Sequence, residues 1–239
     1  MRKFLKRLRD DNSGLALVEF AVSLPVFMSL TIGGFETANY AYVHMRLNQL
    51  TIETADGAAR MGEGEVLASK TIDEAQINDV FAGTIRQGES ILLGGEHEYQ
   101  DPGTGDLVLR GNALIILSSV EPVADFDEDA PKYRIRWQRC IGTADHFEPE
   151  YGTVAESDEI DGVGPATRLA VPPSDGALMF VETHYFFRPV ILNGFSQLGE
   201  QSITKTASMV VRDVRDYTGG DEGVYQIDGV SASSCSFAS

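Results

Sequence analysis

The polarity of the chain changes character several times along its length. Leu15 to Phe35 form an apolar run of 21 residues in which Glu19 is the sole ionisable group. As a helix this run would extend about 32 Å, enough for a hydrocarbon core of about 30 Å. The helical pattern continues beyond Phe35 without proline. Val43, Leu47, Leu50, Thr54, Ala58 and Met61 recur at steps of three or four, a stripe suited to burial against another surface. Gly62-Glu63-Gly64 then ends the pattern. One helix is therefore expected from residue 12 to 61, about 50 residues in all.

A second helix fits residues 72–86, with Ile72, Ile77, Val80, Phe81 and Ile85 as its apolar face. Thr71 is placed to cap it, with Glu74 three residues on to complete a capping box. Strand patterns follow at Leu107–Val120, Tyr133–Trp137, Ala177–Arg188 and Ile203–Val214. Four or five strands after a long helix predict an α+β fold with an antiparallel sheet. Residues 142–176 are acidic, rich in Gly and Pro, and without period; they read as a long surface loop.

Composition places this pattern in a folded protein: 43% of residues are apolar and 23% charged. With 19 basic and 36 acidic side chains the formal charge is −17. That excess argues against nucleic acid as a partner, since such binding needs clustered Lys and Arg. The charge is also unevenly spread. Residues 1–14 hold five basic and two acidic side chains, a net of +3, which leaves −20 for the remaining 225 residues. A basic cluster directly before an apolar span is retained in the cytoplasm, so the chain after Phe35 is expected outside the inner membrane.

Three readings of this N-terminus compete. A secretory signal peptide has an apolar core of 7–15 residues and a small-residue cleavage site after it; this run is longer and no such triplet ends it. A plain membrane anchor fits the hydropathy but leaves Glu19 unexplained, at a cost of about 2.5–3.5 kcal/mol in a bilayer. The third reading uses more of the residues. Gly14 followed by Leu-Ala-Leu-Val-Glu19-Phe20 resembles a type IV prepilin peptidase site. Cleavage there would make Glu19 the fifth residue of the mature chain and expose a cationic amine on Leu15. The resemblance implies that Glu19, beside Phe20, pairs with the free N-terminus of a neighbouring subunit. Such pairing would offset the cost of two buried charges.

The run also resembles the TadE-like family of the tight-adherence (Flp) pilus system. The marks are Val18-Glu19-Phe20-Ala21, Leu24-Pro25, Gly33-Gly34, Glu36 just past the span, and Ala58-Ala59-Arg60. They cover residues 14–61 and imply a pilin-like build: a basic leader at 1–14, a transmembrane then amphipathic helix at 15–61, and an extracytoplasmic domain at 62–239. The major pilins of that system are very short, so the length of this chain points to a minor pseudopilin. The implied partners are other pilus subunits, the inner-membrane assembly machinery and a prepilin peptidase, with no cofactor and no enzymatic activity. The alternative is a permanently anchored envelope protein that supports pilus assembly, or binds a ligand, without entering the fibre. Pro25 removes one helical hydrogen bond and predicts a kink. The resemblance ties such a break to packing or extraction from the bilayer; a membrane proline tolerated by its neighbours is the other reading.

Cys140 and Cys235 both lie in the expected extracytoplasmic part. An even count in an oxidising compartment predicts one disulfide, with two separate thiols as the alternative. In the chain-entropy account a loop of this length contributes about 4–5 kcal/mol. Candidate chemistry is sparse. His44, His97, His146 and His184 are scattered without metalloprotease spacing, and neither a nucleophile elbow nor a phosphate loop is present. His184 reads as an ordinary residue of its aromatic strand, and a tethered hydrolase lacks a catalytic set. Asp125-Phe126-Asp127-Glu128-Asp129 opens like a calcium loop, but Ala130 and Arg136 stand where Gly and Glu are required. A solvated acidic loop is the reading adopted; irregular calcium binding there, or by Glu156, Asp158, Glu159 and Asp161, is the alternative.

Overall fold

The computed structural model describes residues 14–62, 64, 69–100, 103–144, 146–154, 159–191, 201–216, 218 and 222–235. The leader before Gly14, together with Glu156 and Asp158, lies outside them. The chain forms two compact units, one of Met1–Tyr42 with Arg188–Glu200 and one of Val43–Phe187 with Gln201–Ser239.

Helix α1 spans Leu15–Arg60 without interruption at Pro25, close to the expected range. Its N-terminal part belongs to the first unit. There the side chains face outward: Leu17 is 72% exposed, Phe27 69% and Leu30 71%. Hydroxyls in this part bond back to the helix carbonyls, Ser29 to Pro25 at 2.7 Å, Thr31 to Phe27 at 2.8 Å and Thr37 to Gly33 at 2.8 Å. Each is thereby satisfied without water. Among the described residues this is the one helix long and apolar enough to cross a membrane.

In the second unit the predicted stripe is the buried face of α1: Val43, Leu47, Leu50, Thr54, Ala58 and Met61 are all 6% exposed or less. Thr51 Oγ1 lies 3.0 Å from Thr183 Oγ1 of the sheet, and Thr54 Oγ1 lies 2.7 Å from Thr84 Oγ1 of the second helix. The helix stops at Arg60, and Gly62 and Gly64 both adopt positive φ.

A short strand β1, Ile72–Asp73, precedes helix α2, Glu74–Gln87. This corrects the expected cap. Asp73, not Thr71, caps α2, its carboxylate accepting from the Gln76 N–H at 2.9 Å. Ile72 is buried in a parallel pair with β8, Val224–Tyr225, which holds the backbone extended and delays the helix. Glu74 does not close a capping box; it is fully buried and accepts from Arg139 Nε at 3.0 Å and from a terminal guanidinium nitrogen at 2.5 Å.

The main sheet has four antiparallel strands in the order β5–β4–β6–β7, where β4 is Ala113–Pro122, β5 Tyr133–Gly142, β6 Leu178–Phe187 and β7 Gln201–Val210. Strands β2, Glu96–Gln100, and β3, Leu107–Gly111, form a separate antiparallel pair. The single strand expected over 107–120 is thus two. Gly111 passes so near the backbone of Thr143 that a Cβ there would lie 2.1 Å from its carbonyl carbon. Asn112 then ties the break to its surroundings, donating to the Leu92 carbonyl at 2.9 Å and contacting His97 Nδ1 at 2.9 Å.

One face of the sheet meets the helices through Thr183, Arg139 and the Tyr185 hydroxyl, which donates to the Ile91 carbonyl at 2.6 Å. The other face packs beneath the stretch expected to be a surface loop. Val163 is buried there with Val120, Tyr133, Ile135, Leu178 and Phe180, flanked by Tyr151, Val154, Ile160 and Ala170. Residues 142–176 therefore supply core; Ile160, Val163 and Ala170 are held by isolated β-bridges, Tyr133–Ile160 and Val163–Ala170, which impose no repeating period. The Cys140–Cys235 disulfide closes the same face, and the Cys140 N–H donates to the Ser233 carbonyl at 2.8 Å, binding the tail along β5.

Candidate functional site

Gly14 is the exposed residue immediately before α1. Its carbonyl accepts the Val18 N–H at 3.1 Å, so it occupies the N-cap of the helix and Leu15 is the first helical residue. Among the described residues beyond its own helix turn and chain neighbours, no atom lies within 4 Å of the point where a Cβ of residue 14 would sit. The Gly14–Leu15 peptide bond therefore falls at the junction of a turn and a helix, beside an uncrowded glycine.

One turn further on, Glu19 is exposed and has no hydrogen bond or ion pair among the described residues. It sits on a strip of one helix face with Val18, Val22, Ser23, Val26, Phe27 and Leu30. Phe20 is 62% exposed beside it. The carboxylate is thus presented on an apolar surface, with no cation beside it among the described residues. In hydrocarbon such a group is costly until a cation meets it.

Glu36 behaves in the opposite way. It is 1% exposed, and its carboxylate accepts the backbone N–H groups of Val190, at 3.2 Å, and Ile191. The sequence marked Glu36 only by its place after the apolar run; its partners lie some 150 residues away in the chain, where no local pattern could announce them.

Three of the four histidines do gather, which sequence spacing concealed. His97 stacks on Phe186, His146 meets both, and Phe147 stacks on His184 at 5.1 Å. Glu182 Oε1 lies 2.6 Å from His184 Nε2, Thr204 Oγ1 lies 3.2 Å from His184 Nδ1, and the Glu150 N–H donates to Glu182. The order hydroxyl, imidazole, carboxylate has the outline of a catalytic triad. Here the carboxylate and imidazole are 2% and 5% exposed, and Phe147 covers the ring. The line satisfies buried polar groups beneath the 142–176 segment, with the half-buried Thr204 hydroxyl at its outer end. No group of three or more His, Cys, Asp or Glu suited to a metal ion occurs among the described residues.

Elsewhere Glu121 holds two arginines of β5, Arg134 Nε at 2.8 Å and Arg136 at 2.6 Å. Burial and the nearby Lys205 ammonium lower the pKa of His44, and burial pushes the Tyr185 phenol up to about 12. These groups all serve the second unit.

No curated protein and no solved structure matches the chain. Residues 14–62 match the family model described as TadE-like protein. The segment that carries Gly14, Glu19, Phe20 and Glu36 is a TadE-like segment, and the known context of that family is the Flp pilus system.

Proposed function

We propose that the chain is a membrane-inserted minor pseudopilin of a tight-adherence (Flp) pilus, cleaved after Gly14 by a prepilin peptidase and assembled through α1. The observation that carries this reading is the Glu19 carboxylate on an outward apolar face, without a partner among the described residues and one turn beyond the exposed Gly14. Cleavage creates an ammonium on Leu15, the cation that Glu19 of a neighbouring subunit lacks. Both charges are then paired in the low-dielectric bundle, which neither chain achieves alone. The basic leader stays in the cytoplasm and the domain lies in the periplasm or along the fibre. The Cys140–Cys235 disulfide supports an oxidising compartment for that domain.

The test is Glu19→Ala in cells that assemble the pilus. The substitution removes a charge from the span, so membrane insertion is retained, while incorporation into sheared pili is lost. Normal piliation by the variant, with normal incorporation, would contradict the pairing. Recovery of the wild-type chain solely from inner-membrane fractions, never from sheared fibres, would favour the permanently anchored alternative.

A further inference from the structure

The connection between β6 and β7 leaves the sheet at Phe187 and returns at Gln201. Its described residues, 188–191, form one unit with the N-terminal part of α1. The link is Glu36, one residue past the apolar run, whose buried carboxylate accepts the amides of Val190 and Ile191. The side chains above those amides turn outward: Val190 is 67% exposed and Ile191 52%. Phe35, adjacent to Glu36 and the last residue of the run, is 52% exposed as well.

A buried carboxylate that accepts backbone N–H groups is satisfied in a protein core as it is beside lipid. Beside a bilayer the clamp gains a further role. Peptide groups near hydrocarbon must be satisfied from within the protein, and a carboxylate accepting two N–H groups is a strong acceptor. Apolar side chains held beside the end of a membrane span also gain from entering the interfacial region. Tyr42, 45% exposed, adds an aromatic ring near the level where such belts form.

We propose that residues 188–191, where the chain leaves β6, make a second membrane contact, with Val190 and Ile191 seated in the lipid interface beside α1 and their amides held by Glu36. The occupant of this apolar patch is lipid, because the patch continues the outward apolar surface of the span. The inference rests on α1 crossing the membrane, and the experiment separates the two claims.

Both native cysteines are in the disulfide, so one introduced cysteine can carry an environment-sensitive fluorophore. The full chain with Ile191→Cys or Phe27→Cys is labelled and reconstituted into vesicles of phosphatidylethanolamine and phosphatidylglycerol, with or without lipids spin-labelled near the headgroup or midway along the acyl chain. Emission loss is expected at position 191 with the headgroup label and at position 27 with the acyl-chain label. Quenching at 27 with none at 191 overturns the loop contact and leaves the span intact. No quenching at 27 overturns the span and the loop contact together. A blue-shifted label at 191 that lipid quencher does not reach assigns the patch to a protein neighbour and also overturns the proposal. Glu36→Ala, combined with the label at 191, is expected to reduce quenching there; unchanged quenching would refute the role given to Glu36.

Discussion

Tyr185 shows how one buried group reports on the whole second unit. Its hydroxyl donates to the Ile91 carbonyl, and burial pushes its pKa up to about 12 from an ordinary value near 10. The folded state thus holds the phenolic proton more tightly than the unfolded state. Between pH 10 and 12 the folded chain binds more protons, so stability falls as pH rises through that window. The contribution is present below pH 10 and amounts to about 2–3 kcal/mol. Urea unfolding of the full chain in detergent, followed across pH 9–12, is expected to show this decline, and Tyr185→Phe to remove that part of it. An identical alkaline slope in the variant would contradict the assignment.

At the scale of elements, the start of α2 separates two capping schemes. Thr71, Asp73 and Glu74 are all plausible terminal residues by type, and local sequence alone favoured Thr71 with Glu74. The outcome was decided by Val224, far along the chain, which pairs with Ile72 and keeps the backbone extended to Asp73. Asp73→Ala is therefore expected to destabilise the second unit by about 1 kcal/mol. Thr71→Ala should cost clearly less in the same denaturation experiment; equal losses would restore Thr71 as a cap. The same contrast explains which elements were legible. The buried stripe of α1 was visible because its residues obey the helical period. The strands of the main sheet were visible as runs of alternating or continuous apolar residues. The break at Gly111–Asn112 was hidden because its cause is the approach of Thr143, and the core contribution of Val163 and Ile160 because isolated β-bridges impose no repeating period. Of the candidate site, Gly14, Glu19 and Phe20 were legible as a linear motif. The Glu36 clamp and the clustered histidines required the fold.

Across the whole molecule the charge of −17 separates into +3 at residues 1–14 and −20 over the remainder, which begins with the apolar run. The disulfide joins β5 to a tail 95 residues later and closes the face covered by residues 142–176. Reduction, or Cys140→Ser with Cys235→Ser, is expected to lower the stability of the second unit by about 4–5 kcal/mol. Denaturation midpoints under oxidising and reducing conditions measure that loss, and unchanged midpoints would show the tail to be dispensable. The central claim concerns the other end, where the sign of the charge changes. It is tested most directly by the mass of the N-terminal peptide from cells with and without the prepilin peptidase. The account predicts a chain beginning at Leu15 when the peptidase is present and an uncleaved leader when it is absent. A mature chain that begins at Met1 in both would contradict it.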